Sequence, residues 1–477
     1  MEMEEILYRK FGYQEFKDGQ KETIQHILSR HHTIAILPTG TGKSLCYQFP
    51  SYLLEGQTLI ISPLVSLMED QVAHLQQMGE KEAVALNSLL SFEEKNYLLN
   101  HLKQFKFIFL SPEMLEQTAV QEKLQTLEIG LFVVDEAHCI SQWGVDFRPE
   151  YSQLKKVRKT LQNPLTLALT ATATPEVLAD IKGKLLAEDE QIATVIKSVN
   201  RPNIYYAVEK NADKLRYIID FVEKFAGPGL IYFSSKKKAE AISEQLLLNT
   251  DKKVAFYHGD MSSQDRISIQ TQFIQGNLDL LCATSAFGMG INKKDIRYII
   301  HYHLPGSVEA YLQETGRAGR DGEKSQTILL YEKGDEWIHY RLQETLARQI
   351  EEIQLYLSYP KKKQKIFQQN LDQTQQKWLE NEQEDSGDFV QHLEMKLQEK
   401  RKSVADMLSY IEEKKCRRDF LLAYFGEQKK QEDQQKHSFC CDCCTEVPEC
   451  FPLSDNNENK VKELPTTWEE ELKKLFF

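Results

Sequence analysis

The 477-residue sequence predicts an α/β protein: two tandem doubly wound parallel-sheet domains followed by a mostly helical, metal-binding region. Three observations carry that prediction. Up to about residue 200, short apolar runs that end in polar or small residues alternate with longer helical patterns, as βαβ units require. After Arg201-Pro202-Asn203, which reads as a linker because proline and its neighbour disfavour helix, the same pattern restarts. Past about residue 335, strand signals vanish, Glu, Gln and Lys dominate, and cysteines crowd together. A chain of this length exceeds what one compact core holds, so several domains are expected.

In the first unit, 1–200, the expected strands are Thr33–Leu37, Thr58–Ser62, Phe107–Ser111, Leu131–Asp135 and Thr166–Thr170. In the second, 201–335, they are Leu230–Phe233, Val254–Tyr257, Leu278–Ala283 and Tyr298–His301. A third region, 336–445, carries Leu393, Leu397, Val404, Leu408 and Ile411 on one helical face, with a break expected around Glu384–Asp388. Residues 446–477 read as an acidic, Asn-rich linker and a short helix bearing Trp468, Leu472, Leu475 and Phe476, capped by Thr467 and Glu470.

Composition excludes some classes and leaves others open. The 41% hydrophobic and 27% charged content is that of a soluble globular protein. The acidic start, Met1-Glu2-Met3-Glu4-Glu5, is unlike a secretory leader, and no long apolar run suggests a membrane partner. A cytoplasmic location is therefore expected. The net charge of -12 speaks mildly against nucleic acid, although a chain acidic overall can still be basic along one groove. Cys46, Cys139 and Cys282 sit in apolar stretches and read as reduced, buried thiols. Cys416, Cys440, Cys441, Cys443 and Cys444, with Cys450 beyond, suggest metal rather than disulfides in such a chain.

The strongest local signal is Pro38-Thr39-Gly40-Thr41-Gly42-Lys43-Ser44, between an apolar strand and a helical segment. Glycines let backbone N–H groups cradle phosphate, and the helix N-terminus adds positive potential. Lys43 can reach the β- and γ-phosphates of ATP, and the Ser44 hydroxyl can ligate Mg²⁺. The strand ending in Asp135-Glu136-Ala137-His138 supplies the partner. Asp135 is suited to the Mg²⁺ shell, and Glu136 to orienting or deprotonating the attacking water. Alone, Asp-Glu after a strand would be an ordinary loop start; the phosphate loop upstream makes it catalytic. Arg317 and Arg320, three residues apart in Gln313-Glu314-Thr315-Gly316-Arg317-Ala318-Gly319-Arg320, can meet a phosphate cluster together, or form a surface salt-bridge pair.

In this order the motifs resemble the RecQ family of superfamily-2 DNA helicases over about residues 6–335, and again in the Cys-rich region. The resemblance implies two RecA-like domains. It also implies that Phe11–Gln20 reads adenine, with Gln20 on the base edges and Lys17 where relatives usually carry Arg. Lys lacks the planar guanidinium that stacks on a base, so looser base selectivity is expected. By the same resemblance, Ser62–Met68 and Ser111–Leu115 grip a DNA strand. Ala168–Ala173 couples hydrolysis to motion, and Ala283–Asn292 links DNA to ATP. The segment beginning at Gln313 becomes the arginine-finger motif, with Arg320 the first choice and Arg317 the second. Ser141–Pro149 becomes a DNA-sensing loop, Trp143 and Phe147 stacking on bases and Arg148 on phosphate or a ring.

Cys416–Glu427 and Cys441-Asp442-Cys443-Cys444 resemble the family's zinc-binding domain. Four protein ligands make Zn²⁺ structural. Cys416, Cys441 and Cys444 are three of them. The overlapping C-x-x-C registers leave the fourth open among Cys440, Cys443 and His437, with Cys440 preferred. The stretch between Gly322 and Cys416 is longer than in relatives, which suggests a helical insertion at about 345–395, and 445–477 is too short for both a winged helix and a further C-terminal domain. The expected function is ATP-dependent, 3′-to-5′ unwinding of duplex or branched DNA, with single-stranded and branched DNA bound, by a nucleoid-associated monomer in repair and recombination. Single-stranded-DNA-binding protein and recombination factors are the expected partners. A translocase with weak strand separation and a DNA-binding scaffold are the alternatives.

Overall fold

The structure, a computed structural model, describes residues 3–445 apart from 88, 116, 142–148, 188–189, 211–212, 289–292, 381–385 and 428–438. Trp143, Phe147, Arg148, His437, Cys450 and the terminal Trp468/Leu472/Leu475/Phe476 stripe lie outside the described residues.

The first sheet holds seven strands: β1 His32–Ile36, β2 Gln57–Ile61, β3 Ala83–Leu86, β4 Phe107–Leu110, β5 Ile129–Val134, β6 Thr166–Thr170 and β7 Ile192–Ile196. Their order is β3-β4-β2-β5-β6-β1-β7, and every pairing is parallel. The central strands are therefore buried on both faces, while the edge strand β7 stays largely half-exposed. Ile34, Ile61, Ile108, Phe132 and Ala168 pack into one core, and their neighbours Ala35, Ile60, Phe107, Val133 and Leu169 into the opposite one. All carboxyl ends fall along one edge, which is where an open α/β sheet places its chemistry.

The second sheet repeats the plan with β8 Ile204–Lys210, β9 Gly229–Tyr232, β10 Val254–Tyr257, β11 Leu280–Ala283, β12 Tyr298–His301 and β13 Ser325–Tyr331. Its order is β10-β11-β9-β12-β13-β8, again parallel throughout. Of the thirteen strands among the described residues, β3, β7, β8 and β13 go beyond those expected from the sequence.

The last region is helical. Helices Trp337–Ser358 and Ser386–Glu412 lie against each other, with Lys361–Phe367 and Gln373–Glu380 between them in sequence. The long helix begins at Ser386, inside the expected break. Its apolar face serves two cores. Leu393 and Leu397 pack on Leu346, Ile350 and Ile353, while Val404, Met407, Tyr410 and Ile411 join the core of the second sheet. Among the described residues, no helix is long and apolar enough to cross a membrane.

Candidate nucleotide site and zinc centre

The chain leaves β1 at Ile36 and turns through Pro38–Ser44 into the helix Leu45–Ser51. Gly40 and Gly42 have φ of +87° and +73°, a left-handed conformation that side chains rarely adopt. The loop is held from the N-terminal segment. Gln20 Nε2 donates to the carbonyls of Thr41 at 2.6 Å and Gly42 at 3.0 Å, and its Oε1 accepts from the Lys17 amide at 2.8 Å. Lys17 Nζ donates to the Gly40 carbonyl at 2.7 Å. Lys17 here braces the phosphate loop rather than presenting a flat face to a base. Lys43 Nζ lies 3.4 Å from the Leu37 carbonyl.

Strand β5 delivers Asp135 and Glu136 to the same cavity. Glu136 sits at φ +47°, outside the ordinary helical and extended regions, and its amide donates to Asp135 Oδ1 at 3.0 Å. Tyr151 Oη donates to the Asp135 carbonyl at 3.1 Å. His138 Nδ1 lies 2.9 Å from Thr170 Oγ1 and 3.4 Å from Glu136 Oε2, so the Asp-Glu strand is tied to the end of β6. Burial and the neighbouring Glu136 push the Asp135 carboxyl up to about 7, with Lys43 pulling the other way.

The second sheet supplies the opposite wall. Arg317 is buried and donates through Nη1 to the Gly288 carbonyl. Arg320 lies against the phosphate loop: a Cβ at Gly40 would sit 3.2 Å from its Cγ. A Cβ at Gly316 would sit 2.1 Å from Thr39 Oγ1, which instead donates to the Gly316 carbonyl at 3.0 Å. Only glycine permits that approach of one lobe to the other. Burial, and then Arg317, push Arg320 down to about 9, which leaves it cationic at neutral pH. Burial followed by Lys294, Arg201 and Arg320 lowers the Lys17 ammonium as well. A cavity of about 350 Å³ thus collects Lys17, Lys43, Lys294, Arg317 and Arg320 around Asp135 and Glu136, with Gln20, Ser44 and Gln313 also on its wall.

Those groups fit a magnesium nucleotide. Five cations crowded around one cavity favour an anion there, and the adjacent, largely enclosed carboxyls of Asp135 and Glu136 favour a cation. Glu136 Oε2 is buried and makes no hydrogen bond, its polar neighbour His138 Nδ1 standing off at 3.4 Å, which leaves the oxygen able to accept one from water or a ligand. Sequence reasoning missed Lys294 and Arg201. Lys294 lies two residues past the Ala283–Asn292 motif, but Arg201 offers no local signal because the carbonyls it grips are more than a hundred residues away.

The second centre lies beside strand β8. Tyr206 accepts from the Asp442 amide at 3.0 Å and donates to the Cys440 carbonyl at 3.2 Å, so the cysteine segment adds to the edge of the sheet. Sγ atoms of Cys416, Cys440, Cys441 and Cys444 lie within 4.8 Å of one another. Cys443 turns away, its thiol donating to the Glu413 carbonyl at 3.4 Å. Hydrogen bonds from Cys416 and Cys440 pull the Cys441 thiol far below its ordinary value, towards the thiolate that a metal takes. Arg418 Nε reaches Cys440 Sγ at 3.5 Å, and Arg417 Nη2 donates to Asp442 Oδ2 at 3.0 Å. Four soft donors at this separation, with cations behind them, fit tetrahedral Zn²⁺.

Comparison with known proteins agrees with this geometry. The DEAD/DEAH box helicase family matches residues 17–181, the helicase conserved C-terminal domain 212–322, and the RecQ zinc-binding family 370–445. The chain is 42% identical to the "Probable ATP-dependent DNA helicase RecS" of Bacillus subtilis (strain 168), covering 99% of this chain and 98% of that one. It is 36% identical to the ATP-dependent DNA helicase RecQ of Pasteurella multocida (strain Pm70), covering 94% of this chain and 63% of that longer protein. Among solved structures, Mss116p bound to ssRNA and AMP-PNP matches with a TM-score of 0.59 at 17% identity, over 72% of this chain and 75% of that one. Mycobacterium smegmatis helicase Lhr bound to ssDNA and AMP-PNP matches with a TM-score of 0.55 at 21% identity, over 68% and 46%. These two likenesses carry the tandem RecA-like fold alone. With the relatives and the zinc-binding region added, the chain belongs to the RecQ family of ATP-dependent DNA helicases.

Proposed function

We propose that this enzyme couples ATP hydrolysis to 3′-to-5′ movement along DNA, separating strands in repair and recombination. The observation that carries the reading is the two-sided cavity, where Arg320 from one lobe lies against Gly40 of the other. Lys43 binds the outer phosphates, and Ser44 with Asp135 holds Mg²⁺. When bound, the metal supplies positive charge to the phosphate oxygens. Glu136 orients the attacking water and accepts its proton. Arg320 is the finger; Arg317, committed to the Gly288 carbonyl, is better placed to brace it. A finger from the far wall acts only when the cleft is closed, so hydrolysis becomes tied to motion of the lobes.

Cys416, Cys440, Cys441 and Cys444 hold a structural Zn²⁺, and Trp143, Phe147 and Arg148 engage DNA. The protein works in the cytoplasm, on the nucleoid, as a monomer. The units 1–200, 201–335 and 336–445 act as its domains. ATP turnover and strand separation on 3′-tailed duplexes, compared between wild type and Lys43→Ala, test the proposal. Both activities are expected to vanish in the variant. DNA-stimulated turnover of the wild type without strand separation would favour a translocase, and turnover indifferent to DNA would overturn the reading.

A further inference from the structure

The linker Arg201-Pro202-Asn203 does more than join two domains. Its Arg201 side chain is inserted between them. Nη2 donates to the carbonyls of Gly319 at 2.7 Å and Ala318 at 3.0 Å, and Nη1 to those of Gly316 at 3.2 Å and Thr39 at 3.4 Å. Three of these carbonyls follow the helix Val308–Thr315, whose last carbonyls lack partners within the helix and whose dipole favours a cation there. The fourth belongs to the phosphate loop. Asn203 completes the grip, its Nδ2 donating to Gly319 at 2.8 Å and Glu323 at 2.9 Å. Gly319, the residue before Arg320, sits at φ +52°, a left-handed turn that suits glycine, and two linker side chains hold the turn that presents Arg320.

The linker is fixed in turn from the cysteine region. Arg418 donates at 2.7 Å to Asn200 Oδ1, to the Arg201 carbonyl and to the Ile204 carbonyl. Arg201 is therefore a half-buried, charged fork on a backbone pinned by Arg418, reaching both halves of the nucleotide site through carbonyl oxygens.

We infer that Arg201 is a positioning residue for hydrolysis, holding the Gly316–Gly319 turn against Thr39 so that Arg320 meets the phosphates. This rests on the reading of Arg320 as the finger. The chemistry follows from geometry: a misplacement of about 1 Å in a catalytic group costs on the order of a hundredfold in rate. Arg201 acts on the transition state through Arg320 rather than on nucleotide affinity, so the effect belongs to kcat. A lysine at 201 keeps the charge but loses the planar fork, and bonds fewer carbonyls at once.

The test is a double-mutant cycle on the full chain with single-stranded DNA and ATP. Arg201→Ala is expected to lower kcat about 10- to 100-fold while KM for ATP stays within about threefold. Arg201→Lys is expected to recover part of that loss. In an Arg320→Ala background the same substitution should cost less than about twofold, because its route of action is already gone. Additive losses, or a raised KM with kcat intact, would overturn the inference. An Arg320→Ala enzyme with near-normal turnover would instead overturn the finger reading itself. Should Arg201→Ala fail to fold, Arg201→Lys carries the same cycle: a kcat loss that disappears in the Arg320→Ala background supports the inference, and one that persists removes it.

Discussion

The nucleotide cleft and the cysteine cluster are both dense with polar groups, yet they are finished to different degrees. Around the cysteines nearly every group is bonded: Arg417 spans Asp442 and the Tyr410 carbonyl, Asp442 Oδ2 also accepts from the Val208 amide, and Arg418 reaches three oxygens and one sulfur. In the cleft, Glu136 Oε2 and Arg317 Nε are buried without hydrogen-bond partners, and Glu136 holds a left-handed backbone. A satisfied network specifies one arrangement, whereas an unsatisfied one stores free energy that a ligand or a movement releases. The cluster is built to stay as it is. The cleft is built to change.

Removing metal from the cluster should have the largest effect, because structural zinc supplies on the order of 10 kcal/mol to small zinc domains. Cys441→Ser is expected to abolish zinc retention, expose the 416–445 region to protease and lower the melting temperature. Metal analysis of reduced, folded wild type should give one zinc per chain; a value near zero removes the centre.

The cleft should answer the opposite way. Glu136→Gln is expected to cut turnover by about 10²- to 10⁴-fold, the usual contribution of a general base. Its stability should be unchanged or raised, since the substitution removes one charge of the adjacent Asp135–Glu136 carboxyl pair without altering the left-handed backbone at 136. A large stability loss in Glu136→Gln would erase the distinction between the two regions.

What was legible in the sequence divides along similar lines. The phosphate loop and Asp135-Glu136 could be read because each is contiguous and sits at a strand end. The zinc ligands could be read as a group but not as a register, since Cys440–Cys443 and Cys441–Cys444 share one spacing. Pairing of the segment with Tyr206 on β8 brings Cys440 and Cys441 inward and leaves Cys443 on the Glu413 carbonyl. Strand β13 was hidden because it opens with Ser325, Gln326 and Thr327, polar residues buried in the sheet. Strand β3 has only four residues, and edge strand β7 is largely half-exposed, so neither offers a strong apolar run. Arg201 was illegible for another reason: its role exists only after the chain has closed over more than a hundred residues.

A smaller loss than that of the metal tests how the cluster is supported. Arg417→Ala leaves the half-buried Asp442 without its counter-charge, which costs less than the about 3–5 kcal/mol of a fully buried pair broken on one side. Replacing both partners together should restore part of that stability, and denaturant melts of the two variants measure the difference. If the double replacement is as unstable as the single, the pair contributes through packing rather than charge.

The smallest effect concerns Glu399 on the helix Ser386–Glu412. Burial, then the charge of Asp180 on the helix Pro175–Leu185, push its carboxyl up to about 7 from an ordinary 4.5, against the pull of Lys184, Lys396 and Lys402. The folded state therefore binds more protons than the unfolded chain between those values, and stability falls as pH rises through that window. Above pH 7 the penalty is complete; below the unfolded value it is absent. Glu399 is only half-buried, so solvent screening reduces the penalty to on the order of 1 kcal/mol. Glu399→Gln should then melt higher than wild type at pH 8 and match it at pH 4. A stabilisation that is the same at both pH values would show that packing, rather than charge, governs the contact between this helix and the first lobe.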